Sequence, residues 1–197
     1  MELILATNNS HKVEELKAVL PPTILVRTLQ DAGIDIDIPE PHPTLEENAA
    51  EKGRTIFARS GKPCLSDDSG LEVAALDGAP GVRSARYAGE PSDPAANIRK
   101  LLEELKGNAH RSAQFRTVIY LQLNNSAHYF EGICPGTITE APRGTKGFGY
   151  DPVFVPEGTD KTFAEMDLAE KNRYSHRSRA VNKLVEFLNT IGYNQQD

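Results

Sequence analysis

Short apolar runs, polar turns and amphipathic stretches succeed one another along the chain, and each apolar spacing predicts an element. Residues 2–6, ELILA, read as a short buried strand. The polar turn TNNSHK follows, then a helix with Val13, Leu16 and Leu20 on one face. A second strand is expected near residues 24–28, and the alternating IDIDIPEPHP is stopped by its prolines. Thr44 and Glu47 fit a capping box, so a helix is expected over about 45–59. KPCLSDDSGLEVAALDG reads as strand, turn and strand, and Pro94 stands at the first position of a helix carrying Ile98, Leu101, Leu102 and Leu105. Residues 113–123 and 127–139 are rich in aromatic and β-branched residues around Asn124-Asn125, which predicts a long hairpin. The glycine loop RGTKGFGYDP, a strand VFVP and a terminal helix with Val181, Leu184, Val185 and Leu188 turned inward complete the pattern.

Helices interspersed with both hairpins and crossovers imply an α/β protein with a mixed central β-sheet flanked by helices. With 197 residues and 39% hydrophobic composition, one domain spanning 1–197, divided into two lobes, is the expectation. The opening residues lack a basic lead-in and a small-residue cleavage signal, and no apolar run approaches membrane-spanning length, so a soluble cytoplasmic protein without a membrane partner is expected. Cys64 and Cys134 have neither zinc nor disulfide-framework spacing and read as buried reduced thiols. The net charge of -6 argues against a nucleic-acid partner. Charge is nevertheless uneven. Residues 31–51 carry Asp31, Asp35, Asp37, Glu40, Glu46, Glu47 and Glu51 without a Lys or Arg, whereas residues 171–183 carry Lys171, Arg173, Arg177, Arg179 and Lys183 without an acid.

Four polar clusters remain once cores, caps and turns are set aside: TNNSHK, Glu40 between two prolines, SDDSG at 66–70, and GFGYDP with EKNRYSHRSR. Lys12 lies in the first turn of a helix that follows a strand, where unpaired N–H groups and the helix dipole favour an anion, but by local spacing alone an exposed lysine is the better reading. Neither a P-loop nor GxGxxG is present. Glu40, Asp67 and Asp68 are hard oxygen donors of the kind Mg²⁺ takes, usually one or two carboxylates completed by waters and substrate phosphates. One of the two aspartates can anchor the turn while the other faces a site.

Taken in order, these clusters resemble the inosine triphosphate pyrophosphatase family. TNNSHK is similar to its opening T-x-N-x-x-K motif, IPE to its metal glutamate and TLEENAAEK to its E-N-A helix. SDDSGLEV with GAPGVRSARYAG is similar to its central signature, and GFGYDPVF and SHRSRA to its closing motifs. Asn8 stands where many members have Gly. The resemblance implies a nucleotide-binding cleft between the two lobes, Mg²⁺ held by Glu40 and Asp68, and Asp68 as the catalytic group orienting or deprotonating water, with Asp67 shaping the turn. It further implies substrate binding by Thr7, Asn8, Asn9, Ser10, His11, Lys12, Lys52 and Ser69 on the phosphate side, and by Phe148, Gly149, Tyr150, Asp151, Lys171, His176 and Arg177 around the base. Gly147 and Gly149 would leave room for a flat ring beside Phe148. Arg177 and Lys171 carry donors only, which suits a 6-keto purine and opposes the 6-amino group of adenine.

The implied reaction is hydrolysis of ITP, dITP or XTP to the monophosphate and pyrophosphate, by a homodimer. A non-catalytic nucleotide sensor and a pyrimidine nucleotide pyrophosphatase are the competing readings. By this reading Arg177→Ala would cost discrimination more than stability.

Overall fold

The computed structural model describes residues 1–124 and 126–192, and Asn125 of the expected hairpin turn lies outside them. Among the described residues seven strands form one sheet: β1 (Glu2–Leu5), β2 (Leu25–Arg27), β3 (Cys64–Val73), β4 (Pro80–Gly81), β5 (Ser112–Leu123), β6 (Ser126–Ile138) and β7 (Phe154–Pro156). The helices are α1 (Ser10–Val19), α2 (Leu45–Ser60), α3 (Pro94–Glu104), α4 (Leu168–Asn172) and α5 (His176–Thr190). The strand order is β2-β1-β3-β5-β6-β7, with β4 paired to β3. β1 runs parallel to β2 and β3, whereas β3–β4 and β6–β7 are antiparallel, so the sheet is mixed as the pattern implied.

The chain packs into two compact units, each assembled from separated stretches. Of the described residues, the first comprises 1–68, 117–124, 126–132 and 177–192, the second 69–116 and 133–176. In the first unit the alternation of β1 and β3 sorts side chains between two faces. Leu3, Leu5 and Leu65 join Leu16 of α1 and Val181, Leu184 and Leu188 of α5 in one core. Ile4, Ala6 and Cys64 join Ile56 of α2 in another. The second unit packs Leu71, Ile98, Leu101, Phe115, Phe154 and Phe163 around its own core.

Caps follow the sequence closely. Thr44 Oγ1 accepts from Glu47 N–H at 3.2 Å and donates to the Glu47 carboxylate at 2.8 Å, starting α2. Pro94 opens α3 behind Asp93, whose carboxylate accepts from Ala95 and Ala96 N–H. The difference lies at residues 64–73. The expected strand, turn and strand are a single strand. Gly70 is there because a Cβ would stand 2.4 Å from the Gly81 carbonyl oxygen of β4, not because the chain turns. The alternating IDID segment likewise forms no strand; Ile34, Ile36 and Ile38 pack from an irregular segment onto the α2-side core.

Candidate active site

The loop between β1 and α1 is built by its own polar side chains. Asn9 caps α1, its carbonyl oxygen accepting from His11 N–H at 3.0 Å and Lys12 N–H at 3.2 Å. Thr7 Oγ1 accepts from Asn9 N–H at 3.2 Å, and Asn8 Nδ2 donates to Ile36 O at 3.0 Å, tying the loop to the acidic segment. Asn8, Asn9, Ser10 and His11 are exposed. This helix start therefore presents polar groups to solvent at the positive end of the α1 dipole.

Asp67 and Asp68 leave β3 on opposite faces, and the cations in contact with each differ. Asp67 points to the α1 and α5 side, where its Oδ2 lies 3.1 Å from Lys12 Nζ and accepts from Arg177 Nε and Nη2 at 3.3 Å each. Arg177 Nη1 also donates to Glu15 of α1. Burial pushes the Asp67 carboxyl up, but the Lys12 and Arg177 charges outweigh it and hold the group well below the usual carboxylate range. Arg177 is held above its ordinary value, because the charges of Asp67 and Glu15 exceed the cost of burying it. Asp67 is thus no turn-former: its charge is tolerated mid-strand because two cations reach it.

Asp68 points to the α2 side with Lys52 and Glu40. Lys52 Nζ is 2.5 Å from Glu40 Oε1 and 3.5 Å from Asp68 Oδ1. Ser66, two residues back on the same face, donates to Ala49 O of α2 at 2.6 Å. Asp68 Oδ2 is buried with no hydrogen-bond partner among the described residues. Burial is the main influence on Asp68 and raises its pKa although Lys52 and Lys12 pull the other way. Lys52 is raised in turn: burial disfavours its charge, but Asp68 and Glu40 more than compensate. The result is a carboxylate with raised proton affinity, a second carboxylate that is only half-buried and an ammonium between them.

The second unit assembles an aromatic and cationic group. Phe148 N–H donates to Asp151 Oδ2 at 2.9 Å, and Lys171 Nζ approaches the same oxygen at 2.5 Å. Lys171 Nζ also lies 5.0 Å from the Phe148 ring centre and 5.2 Å from that of Phe163, within cation–π range. Gly147 has φ +72° and its Cβ would fall 2.0 Å from Asp151 Oδ2, so glycine here admits the carboxylate. Tyr150 is buried and donates to Ser84 O at 2.8 Å, which makes it an anchor of the glycine loop. His176 stacks on Phe115 with ring centres 4.8 Å apart. Ser69 is half-buried on β3, and Gly149 has φ +60°.

The structure therefore gathers Lys12, Asp67 and Arg177 into one group, and Glu40, Lys52 and Asp68 into a second. Phe148, Asp151 and Lys171 form a third. Sequence reasoning missed Glu15. Its signal was present in the i, i+3 spacing from Lys12 and in the adjacent core Leu16, which place it at the margin of the buried face of α1.

A sequence model described as the Ham1 family matches residues 3–187. The chain belongs to the Ham1 family. Among Ham1-family relatives, a dITP/XTP pyrophosphatase of Porphyromonas gingivalis is 52% identical, the alignment covering 95% of this chain and 97% of that one. One of Flavobacterium johnsoniae is 48% identical over 95% of this chain and 98% of its own length. Of solved structures, the Staphylococcus aureus Ham1 protein superposes with a TM-score of 0.87 at 39% identity, covering 96% of this chain and 99% of that one. The family expected from the sequence is thereby found, and the Ham1 structures share the mixed α/β fold described above.

Proposed function

We propose that this chain hydrolyses non-standard purine nucleoside triphosphates, ITP, dITP and XTP, to the monophosphate and pyrophosphate, all of residues 1–197 serving that one reaction. The observation that carries the reading is Asp68. A buried carboxylate oxygen without a hydrogen-bond partner, beside a second carboxylate and an ammonium, is costly unless a cation or a reacting water uses it. The relatives' activity as dITP/XTP pyrophosphatases supports the same conclusion.

Asp68 Oδ2 and the half-buried Glu40 carboxylate fit Mg²⁺ by donor chemistry. Among the described residues no group of three or more His, Cys, Asp or Glu side chains is placed to hold a metal, so waters and substrate phosphates would complete the shell. When bound, Mg²⁺ would supply electrostatic stabilisation to the phosphate oxygens. The residues do the rest. Asp68 orients the attacking water and takes its proton. The water oxygen bonds the α-phosphorus as the bond to the α,β-bridging oxygen breaks, and the charge passes to the departing pyrophosphate. Lys12 and Lys52 stabilise that charge, with the loop Thr7–His11 offering polar groups to the phosphates.

Phe148 stacks on the purine, a contact worth on the order of 1–3 kcal/mol. Asp151 fixes the Phe148 backbone and Lys171 together, and Lys171, His176 and Arg177 read the base edge, with Ser69, Gly149 and Tyr150 supporting the nucleotide. An ammonium carries three donors, so pairing with Asp151 is compatible with donation to a 6-keto oxygen. A homodimeric, cytoplasmic enzyme belongs to the same proposal.

The test is incubation with ITP, XTP, GTP, ATP or TTP and Mg²⁺, followed by assay of pyrophosphate. Release from ITP and XTP at rates well above ATP is expected, lost on chelation and restored by Mg²⁺. Tight binding of ITP without turnover would make the chain a sensor, and preference for TTP would make it a pyrimidine enzyme.

A further inference from the structure

Asp67 has no role in the mechanism above, yet its side chain is fully buried and two cations converge on one of its oxygens. We propose that Asp67 is a positioning residue whose Oδ2 atom is shared by Lys12 and Arg177, so that one carboxylate sets both the phosphate-side ammonium and the base-side guanidinium. This inference rests on the nucleotide reading just given.

The geometry of the two cations differs in a way that matters. Arg177 offers a rigid planar fork: Nε and Nη2 both donate to Asp67 Oδ2 at 3.3 Å, while Nη1 donates to Glu15. The guanidinium is therefore held from two sides, and its plane is fixed. Lys12 meets the same Oδ2 at 3.1 Å through a flexible four-carbon stem, as a point charge that can swing away. Lys12 and Glu15 stand one turn apart on α1, Arg177 sits in the first turn of α5, and Asp67 lies on β3 between Leu65 and Ser69. Two positive and two negative side chains meet in this group, and each buried charge is offset by an opposite one.

A triphosphate changes that balance. When its oxygens draw the Lys12 ammonium, Asp67 Oδ2 loses one of the two cations that touch it and holds the Arg177 guanidinium harder. By reciprocity, a base that engages Arg177 loosens its claim on Asp67 and alters the hold on Lys12. Occupancy of the phosphate side is thereby linked to recognition of the base through one oxygen atom. A lysine that served phosphate only would have no such effect.

Kinetics with ITP and ATP separate the possibilities. In Asp67→Asn, kcat for ITP and the ITP:ATP ratio of kcat/KM should both fall by at least about tenfold, the range of ordinary coupling between sites. Circular dichroism would verify that this variant folds. Lys12→Gln gives an independent reading that does not require Asp67→Asn to fold: its ITP:ATP ratio should shift at least about threefold, in addition to the loss of rate. Equal slowing of ITP and ATP in Lys12→Gln, or an Asp67→Asn protein that loses kcat with its ratio intact, would overturn the shared-carboxylate role. A wild-type protein with no preference for ITP over ATP would instead overturn the nucleotide reading, and that result is visible before any variant is made.

Discussion

Two adjacent acids on one strand serve opposite faces, and that single fact governs the chemistry at the residue scale. Asp67 is paired through Oδ2 with Lys12 and Arg177, and Asp68 lies beside Lys52 with its Oδ2 buried and without a hydrogen-bond partner among the described residues. Asp68→Asn removes the proton acceptor and a metal ligand without altering side-chain volume. Turnover of ITP is expected to drop by at least about 100-fold, with the melting temperature within about 4 °C of wild type. Steady-state kinetics and a thermal melt check both halves, and near-normal rates would remove Asp68 from the mechanism. Arg177 behaves differently from its sequence expectation. Because it is buried between Glu15 and Asp67, Arg177→Ala would remove the cation that both carboxylates share. A loss of about 3–5 kcal/mol in urea unfolding is expected, so stability suffers along with discrimination.

At the scale of elements, the strands and helices that carry these residues depend on close approach and on caps. The β3–β4 pair requires Gly70, whose added Cβ would meet Gly81 backbone atoms at 2.4 and 2.8 Å with no flexible side chain to move aside. Gly70→Ala should therefore destabilise the protein by about 1–3 kcal/mol, measured by denaturant unfolding. A similar constraint applies in the first unit, where a Cβ on Gly53 of α2 would stand 2.3 Å from the Tyr120 ring. The helix that supplies Lys52 begins at Thr44, and Thr44→Ala removes its cap at a cost of about 1 kcal/mol. Since Lys52 lies two turns further on, that variant should lower the melting temperature while leaving KM for ITP close to wild type. A large rise in KM would show that the cap also fixes the site.

At the scale of the whole molecule, the buried thiol of Cys64 links the core to pH. It donates to Gly53 O at 2.9 Å, and burial pushes its pKa from 9.0 up to about 12. Folding therefore favours the protonated thiol. Its contribution is complete below pH 9 and is lost as pH rises toward 12, with a slope of up to about 1.4 kcal/mol per pH unit. Cys64→Ala should flatten the alkaline limb of a stability–pH profile, and an unchanged slope would assign that limb to other groups. The sequence by itself determined much of the architecture. Apolar periodicity placed α1, α3, α5 and the two long strands β5 and β6, Thr44 and Pro94 marked two helix starts, and the ordered motifs identified the family, because these signals are local or tied to fixed spacings; α4 went unread. Tertiary structure alone decided that residues 64–73 continue as one strand, that Asp67 and Arg177 form a buried network with Glu15, and that Gly147 makes room for Asp151. Those outcomes depend on which charges meet across more than a hundred residues of chain, as Asp67 and Arg177 do, and the energy of a buried charge is set by its partners in space, not by its neighbours in sequence.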